Sequence, residues 1–450
     1  MEQRVAHTVR ATGFVLAALV CLPVEARQAP AGARPERPYR GVFGQDTGTW
    51  SQELTASLSL GGGWDSDVLA GARGDNTSSD PVGQEAGPFT SGSAGLSYSL
   101  RQGRFDLGAS AGSSIRFYGN NLSRPFVGSH GGGATAGYRF TDRTTLSAQQ
   151  SVAFQPFDSR LLYAPIDDGI VESEPPSFDA SASADNYVSL SSAASLSHDL
   201  SARSSLQIGY TYYATEYSLT EERRHGGRAR FTHEIAEGLA LRLGYGYEVR
   251  KRQDPSGQPD PADLERHHID TGLDFNRALS VSRRTTLSFG AGATAVNDLE
   301  TNRIYAVGHV ALNHEIGRSW DASLGYGRNV QFADYLDRPV LSDGVQASLG
   351  GLINRRVSFR SNAGASYGSV GFSEDEDNRT IAYRASAGVM FALNRYMGFG
   401  VTYSYYQHDY GQDVVLPDGL SRAVRRHVVQ ANISVWAPLY RRAGRLDAAR

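Results

Sequence analysis

Three histidine–acid pairs are the residues whose types and spacing come closest to a catalytic arrangement. Each pair is followed by Leu or Ile, a short polar break and a new alternating run. The pairs are His198-Asp199, His233-Glu234 and His314-Glu315. A histidine can act as a general base beside a carboxylate, provided that the two side chains reach one another. A catalytic pair is expected once, whereas a structural joint recurs, so the repetition favours architecture.

The residues around these pairs alternate with period two. In the stretch LALRLGYGYEVR, apolar side chains from Leu239 to Val249 alternate with small or charged ones from Ala240 to Arg250. That period predicts a β-strand with one apolar and one wet face. Helical periodicity is absent after the N-terminal segment. There are about 18 such runs, centred near residues 57, 95, 111, 135, 150, 193, 210, 230, 245, 271, 291, 309, 325, 348, 362, 386, 402 and 431.

The connections between the runs alternate in length. Short polar breaks, such as 236–238 and 282–284, alternate with longer acidic or Pro-rich loops, such as 156–184. Transmembrane barrels have an even number of strands, short periplasmic turns and long outer loops. The sequence therefore predicts an all-β fold: a transmembrane antiparallel up-and-down β-barrel of about 18 strands, with short periplasmic turns and long extracellular loops.

Closure of the sheet is favoured on energetic grounds. An open sheet of this size would leave two unpaired edges and a large apolar surface in water. In lipid, only a closed barrel satisfies every backbone group. A soluble β-sandwich or propeller is the rival fold, but it should show no alternation of loop length.

The predicted barrel indicates where the side chains of the histidine–acid pairs lie. Consecutive residues of a strand face opposite sides, so the members of each pair point apart. We expect the histidines to face the lipid headgroups and the acids to lie at the rim of the lumen. No metal site is expected, even at His267-His268, because no third ligand is identifiable. The acidic run 374–377 is interpreted as a solvated loop, and no catalytic residue or cofactor is predicted.

The chain is expected to have four segments. Residues 1–26 resemble a secretory signal peptide, because basic residues flank a short apolar run that ends in Val-Glu-Ala. A lipoprotein anchor at Cys21 is disfavoured, since the residue before it is not small. Residues 27–48 are interpreted as a disordered periplasmic leader, 49–437 as the barrel and 438–450 as a short periplasmic C-terminal tail.

Charge and composition exclude one class of partner. The net charge is −3, the pI is near 6.4, and no basic patch stands apart from the balanced background. Nucleic-acid binding is therefore not expected. Lys251 is the only lysine among 44 basic residues, and the planar fork of arginine suits carboxylate and phosphate groups.

The polar residues of the strands, which are predicted to face the lumen, are the ones that could affect function. Rings of charge tune ion selectivity in pores. Alternatively, these charges pair across the wall and only keep the lumen wet. The candidate lumen-lining residues are Arg116, Arg139, Arg228, Arg230, Arg242, Arg303, Arg360, Arg384, Asp106, Glu248, Asp270 and Asp274. The loop 156–184 is expected to fold inward and narrow the pore.

Several phrases resemble the turns and strands of Gram-negative outer-membrane porin-like proteins. They are LSARSSLQIGYTYY, LSVSRRTTLSFGAG and FTDRTTLSAQQSVAF. The similarity is to the β-barrel porin type 2 group and to barrels associated with exopolysaccharide export, over about residues 50 to 437. It is one of pattern, and it implies polysaccharide passage as one use of the barrel. Such barrels usually finish on an aromatic residue, whereas here Trp436 is followed by LYRRAGRLDAAR.

These observations favour a non-enzymatic channel in the outer membrane of a Gram-negative, diderm bacterium. It would pass small solutes or serve as the outer-membrane conduit for exopolysaccharide export. The alternatives are an outer-membrane enzyme of lipase or protease type, and a non-conducting structural or adhesive barrel. The expected partners are outer-membrane lipids and lipopolysaccharide, the barrel-assembly machinery, and, for export, periplasmic export components or an anionic polysaccharide.

Overall fold

A computed structural model gives the structure of the chain. It describes residues 41–43, 50–68, 86–119, 126–156, 186–217, 220–253, 264–279, 282–298, 301–331, 340–370, 376–414 and 422–443. Within these ranges, no helix is long and apolar enough to cross a membrane. The expected signal peptide lies outside the described residues, as does the leader except for residues 41–43.

The described chain is almost entirely β-strand, with one short 3-10 helix at Glu376–Asn378. The strands are β1 (Trp50–Asp65), β2 (Gly87–Gln102), β3 (Phe105–Tyr118), β4 (Phe126–Thr141), β5 (Thr144–Pro156), β6 (Asn186–Ser201), β7 (Ser204–Tyr217), β8 (Thr220–Ala236), β9 (Leu239–Gln253), β10 (Leu264–Leu279), β11 (Ser282–Asp298), β12 (Thr301–Ile316), β13 (Trp320–Gln331), β14 (Val340–Asn354), β15 (Val357–Val370), β16 (Arg379–Ala392), β17 (Met397–Tyr410) and β18 (Ala423–Ala443).

The strands form one closed antiparallel sheet. Each strand pairs with its neighbours in sequence, and β1 pairs with both β2 and β18. The predicted fold class is therefore confirmed: the chain is an 18-stranded up-and-down barrel. Each of the 18 predicted centres falls inside a different strand. Closure leaves no exposed sheet edge.

The pairing register divides the side chains into two faces, because directly opposed residues point to the same side. Large apolar side chains such as Leu60, Ile208 and Tyr245 are exposed on one face, with Leu60 61% accessible. The other face carries the Ser, Thr, Gly and Arg residues of the polar phase. An even-numbered closed barrel with an apolar outer face is an outer-membrane barrel, as predicted.

Glycine makes three of the short turns possible. Gly103, Gly238 and Gly317 have φ of 60°, 76° and 63°, a backbone conformation that side chains with a Cβ disfavour. Two other turns use asparagine. The Asn354 side-chain oxygen accepts from the Arg356 N–H at 2.8 Å, and that of Asn394 accepts from the Tyr396 N–H at 2.7 Å.

Two predicted boundaries differ from the structure. The break expected at 282–284 belongs to β11, which begins at Ser282. Leu279 is opposed to Ser282 after a register irregularity, and the two residues between them lie outside the described ranges. The last strand continues to Ala443, beyond the barrel end expected at 437. Its final residues pair with the first residues of β1, where Glu53 lies opposite Arg441.

Candidate functional site: the barrel interior and its rims

The candidate lumen-lining positions lie on the polar, inward phase of their strands. This follows from the register: for example, Arg228 is opposed to Gly209, and Arg384 to Gly364, on the face away from the exposed apolar residues. Asp270 is opposed to Gly244, and its side chain lies outside the described part of the structure. The candidates do not converge on one centre. They divide into a buried cluster, partnered charges and exposed arginines.

The buried cluster lies at the extracellular end of β1, β3 and β18. Asp65, Arg116, Tyr118 and Arg426 are each at most 3% exposed. The Arg426 Nε donates to the Asp65 carboxylate at 2.9 and 3.1 Å. The Tyr118 hydroxyl lies 3.3 Å from Asp65 Oδ2, and Arg116 Nη1 lies 3.9 Å from the same oxygen. One carboxylate therefore offsets two buried guanidinium groups.

Apolar side chains seal this cluster. The Arg116 guanidinium lies over the Phe89 ring at 4.2 Å from its centroid. Val68, which follows β1, is fully buried and packs with Phe89, Tyr118 and Val428. The first residues of the β1–β2 connection thus fold back onto the inner wall. Because these charges are buried, their electrostatic contacts are strong, and removing one charged side chain lowers the stability of the fold substantially.

A second buried group lies at the extracellular end of β17 and in the residues that follow it. His408, Tyr410 and Val414 are each at most 2% exposed. The Gly411 N–H donates to the Arg379 carbonyl at 2.7 Å, and the Asp413 N–H donates to the Asp377 carbonyl at 2.9 Å. These hydrogen bonds continue the pairing of β16 with β17 beyond Tyr410. The loop 156–184, expected to narrow the pore, lies outside the described residues apart from its first residue.

Two ion-paired groups lie along β8 to β10. Arg242 and Asp274, both candidates, form an ion pair with each other. Glu222 is 3% exposed and is held by Arg250 at 2.8 Å and Arg224 at 3.3 Å. These pairs match the alternative in which charges pair along the wall. They also remove several arginines from the set that faces a passing solute without a partner.

Arg228 and Arg360 are different, because both are exposed although they face inward. Arg228 lies between Gly209 and Gly246 on the neighbouring strands, and Arg360 lies between Gly350 and Gly388. The Arg228 side chain lies over Gly209, where an added Cβ would come within 3.3 Å of its Nε. Arg303 and Asp106 are also exposed. Arg139 lies at the short-turn end and donates to the Gly103 carbonyl at 3.2 Å.

At the short-turn rim, an ion pair that is not among the candidate residues joins β18 to β1. Arg441 binds Glu53 Oε1 through Nε at 2.8 Å and Nη2 at 2.6 Å. Its guanidinium also lies 5.2 Å from the Trp50 ring centroid and 5.3 Å from that of Trp436. Beside this rim, the Val42 N–H donates to the Arg355 carbonyl at 2.9 Å, so this residue of the expected leader lies at a short turn.

The histidine–acid pairs are not dyads. Each histidine of these pairs binds, through Nδ1, a hydroxyl on the adjacent strand. The partners are Thr144 for His198 at 2.9 Å, Ser204 for His233 at 2.8 Å and Thr285 for His314 at 2.8 Å. The neighbouring acids lie on the opposite face of the strand. Among the described residues, no three His, Cys, Asp or Glu side chains are grouped to hold a metal ion.

The chain is similar to several solved structures, all at low sequence identity. No family model and no curated protein matches its sequence. OpdQ of Pseudomonas aeruginosa is 10% identical with a TM-score of 0.44, over 86% of this chain and 98% of that one. OccAB4 of Acinetobacter baumannii is 10% identical with a TM-score of 0.44, over 88% and 100%. The siderophore receptor PirA from Pseudomonas aeruginosa is 9% identical with a TM-score of 0.42, over 87% and 81%. These likenesses concern the fold and carry nothing about substrate or activity.

Proposed function

We propose that the chain is an outer-membrane channel that passes small solutes through the barrel. The observation that supports this most directly is the exposure of Arg228 and Arg360 on the inward face. A guanidinium group that has no ionic partner is stable there only if water reaches it. Barrels of 16 to 18 strands are wide enough to leave an aqueous channel. The inner wall around these two arginines is therefore expected to be wet.

The partnered charges shape the field along this path. The ion pair of Arg242 with Asp274 contributes little net charge, whereas Arg228 and Arg360 add positive charge where a solute passes. Charged groups that line a pore favour ions of the opposite sign. We therefore expect small anions to pass more readily than cations of the same size.

Passage of an anionic exopolysaccharide is a finer form of this proposal. It is motivated by the sequence resemblance and by the preference of arginine for carboxylate and phosphate groups.

Liposome swelling tests the channel proposal. The full mature chain would be refolded into phosphatidylcholine vesicles and exposed to neutral and anionic sugars of increasing size. Swelling with small sugars, faster for uronates than for neutral sugars of equal size, is the expected result. Entry of charged oligosaccharides would favour the export form. Vesicles that contain folded barrel but exclude every sugar would overturn the proposal.

A further inference from the structure

A tyrosine–histidine arrangement recurs on three hairpins of the outer surface. In each hairpin, one strand carries Tyr-x-Tyr and the next carries Arg-His. We call each set of two tyrosines and one histidine a clamp. The clamps are Tyr210, Tyr212 and His225 on β7–β8, Tyr245, Tyr247 and His267 on β9–β10, and Tyr403, Tyr405 and His427 on β17–β18.

The three clamps have nearly the same geometry. The first tyrosine hydroxyl lies 2.8, 2.7 and 2.9 Å from Nδ1 of the histidine. The second tyrosine is directly opposite the histidine in the register. Its ring centroid lies 4.9, 5.0 and 4.9 Å from the imidazole centroid. A geometry repeated in three separate hairpins is unlike a chance contact.

Each clamp fixes the orientation of an imidazole. One ring nitrogen, Nδ1, is occupied by the tyrosine hydroxyl, and the second tyrosine packs against the ring. The other nitrogen, Nε2, lies at the far end of the ring from Nδ1 and keeps its own capacity to donate a hydrogen bond. On the outer face of a membrane barrel, such a donor needs a polar partner at the surface of the bilayer.

The clamps lie where the outer face changes from apolar to charged. The next outward residue towards the extracellular end lies two positions from each histidine. It is Arg223 on β8, Glu265 on β10 and Arg425 on β18. Lys251 is directly opposite Arg223. Arg223 is 55% exposed in its side chain and also binds Glu221 at 2.7 Å. Around the first two clamps, the outward cations Arg223 and Lys251 lie among the acids Glu216, Glu221 and Glu265, so the charge of this surface is mixed.

The short-turn histidines provide a natural contrast. His198, His233 and His314 also bind a hydroxyl through Nδ1. However, the next outward residues towards the turn are apolar and exposed, namely Leu200, Ile235 and Ile316. At this outward position the short-turn histidines therefore have an apolar neighbour, whereas each clamp has a charged one. The two ends of the barrel meet the membrane surface with different chemistry.

The spacing along β8 agrees with the thickness of a membrane. His225 and His233 are both on the outer face, eight residues apart. At about 3.3 Å per residue, they are separated by roughly 26 Å along the strand. A strand tilt of about 40° reduces this to roughly 20 Å along the membrane normal, close to the apolar band of about 25 Å. His225 therefore falls at the level of the headgroups on the long-loop side.

We propose that the three clamps bind phosphate groups of the glycolipid in the outer leaflet. Each Nε2–H donates to a phosphate oxygen, and Arg223 and Arg425 add charge-assisted hydrogen bonds nearby. Membrane phosphates are anionic, and they lie at the same depth as the clamps, at the extracellular border of the apolar outer face. This inference identifies a surface for the expected lipopolysaccharide partner and is independent of whether the barrel conducts.

The test compares unfolding of the refolded full mature chain in two kinds of vesicle. One contains phosphatidylcholine alone, and the other also contains lipid A. The unmodified barrel is expected to unfold at a higher urea concentration when lipid A is present. The variant His225→Gln/His267→Gln/His427→Gln should lose most of that rise. The matched control, His198→Gln/His233→Gln/His314→Gln, should keep it.

Three results would overturn the proposal. They are an equal loss in the two triple variants, an unchanged rise in the clamp variant, and an equal rise when inorganic phosphate replaces lipid A. If the clamp variant does not fold, Arg223→Gln/Arg425→Gln leaves the tyrosine–histidine contacts intact. That variant is expected to lose part of the lipid A effect, and a full effect would contradict the proposal.

Discussion

At the residue scale, Asp65 neutralises two arginines that the fold buries at the extracellular end. Asp65 is fully buried, and Arg116 and Arg426 are 3% and 2% exposed. Removing one member of a buried ion pair leaves an uncompensated charge, which costs about 3–5 kcal/mol. Asp65→Asn is therefore expected to lower the free energy of unfolding by about that amount. Urea unfolding of the refolded barrel in lipid vesicles measures it.

Asp106→Asn is the matched control for this substitution. Asp106 has the same inward phase on β3 but is exposed. Substitutions at exposed positions usually change stability by no more than about 0.5 kcal/mol. If both variants unfolded at the same urea concentration, the buried cluster would contribute no stability through its charge.

Arg228 is expected to influence ion selectivity because it is exposed on the inward face. Arg228→Gln removes one positive charge from the path, so the reversal potential in a salt gradient should shift towards cations. The control is Arg242→Gln/Asp274→Asn, which removes one charge of each sign from an existing pair. That double variant should retain the original selectivity. Equal shifts in both would show that Arg228 has no special access to the path.

The inward phase of these residues could be predicted from the sequence, but their partners could not. Period two assigns every second residue of a strand to one face. The contact of Asp65 with Arg426 joins residues 361 positions apart, and it exists only because β1 pairs with β18. The pairing of Arg242 with Asp274 depends on the register of β9 and β10, which alternation alone does not fix.

At the scale of the elements, short turns set the ends of the strands. Gly238 has φ of 76°, and a Cβ added there would lie 2.6 Å from the Asn276 carbonyl oxygen. Gly238→Ala combines backbone strain with this clash. Strain alone costs about 1–2 kcal/mol at a left-handed position. The variant should therefore lose more than that in unfolding free energy, measured by urea titration.

Gly317→Ala separates the two effects. Gly317 has φ of 63°, and nothing lies within 4 Å of an added Cβ. This variant should show the backbone strain alone, about 1–2 kcal/mol. A loss at Gly238 no greater than that at Gly317 would contradict the role assigned to the carbonyl contact.

The existence of the strands was easier to predict than their ends. Long alternating runs give a clear period, so the strand centres were predicted correctly. Polar residues at a strand end look like turn residues, which is why the arginines after Ser282 suggested a break inside β11. The clamps were also missed. Their signal, Tyr-x-Tyr on one strand followed by Arg-His on the next, is visible in the sequence at Tyr210, Tyr245 and Tyr403.

At the scale of the whole molecule, closure creates an interior from residues that have no common sequence motif. The pairing of β1 with β18 completes the wall, and Glu53 with Arg441 holds its rim. The residues that follow β1 pack on the inner wall, where Val68 contacts Phe89, Tyr118 and Val428. How far loops enter a barrel depends on packing across the lumen, which a period-two pattern does not encode.

Single-channel conductance of the refolded full mature chain in a planar bilayer tests the claim of an open aqueous path most directly. Folding would first be verified by the heat-dependent shift in electrophoretic mobility. Steady, well-resolved current steps with a preference for anions are the predicted result, since water reaches the inward arginines. Silence from chains that are demonstrably folded and inserted would contradict it.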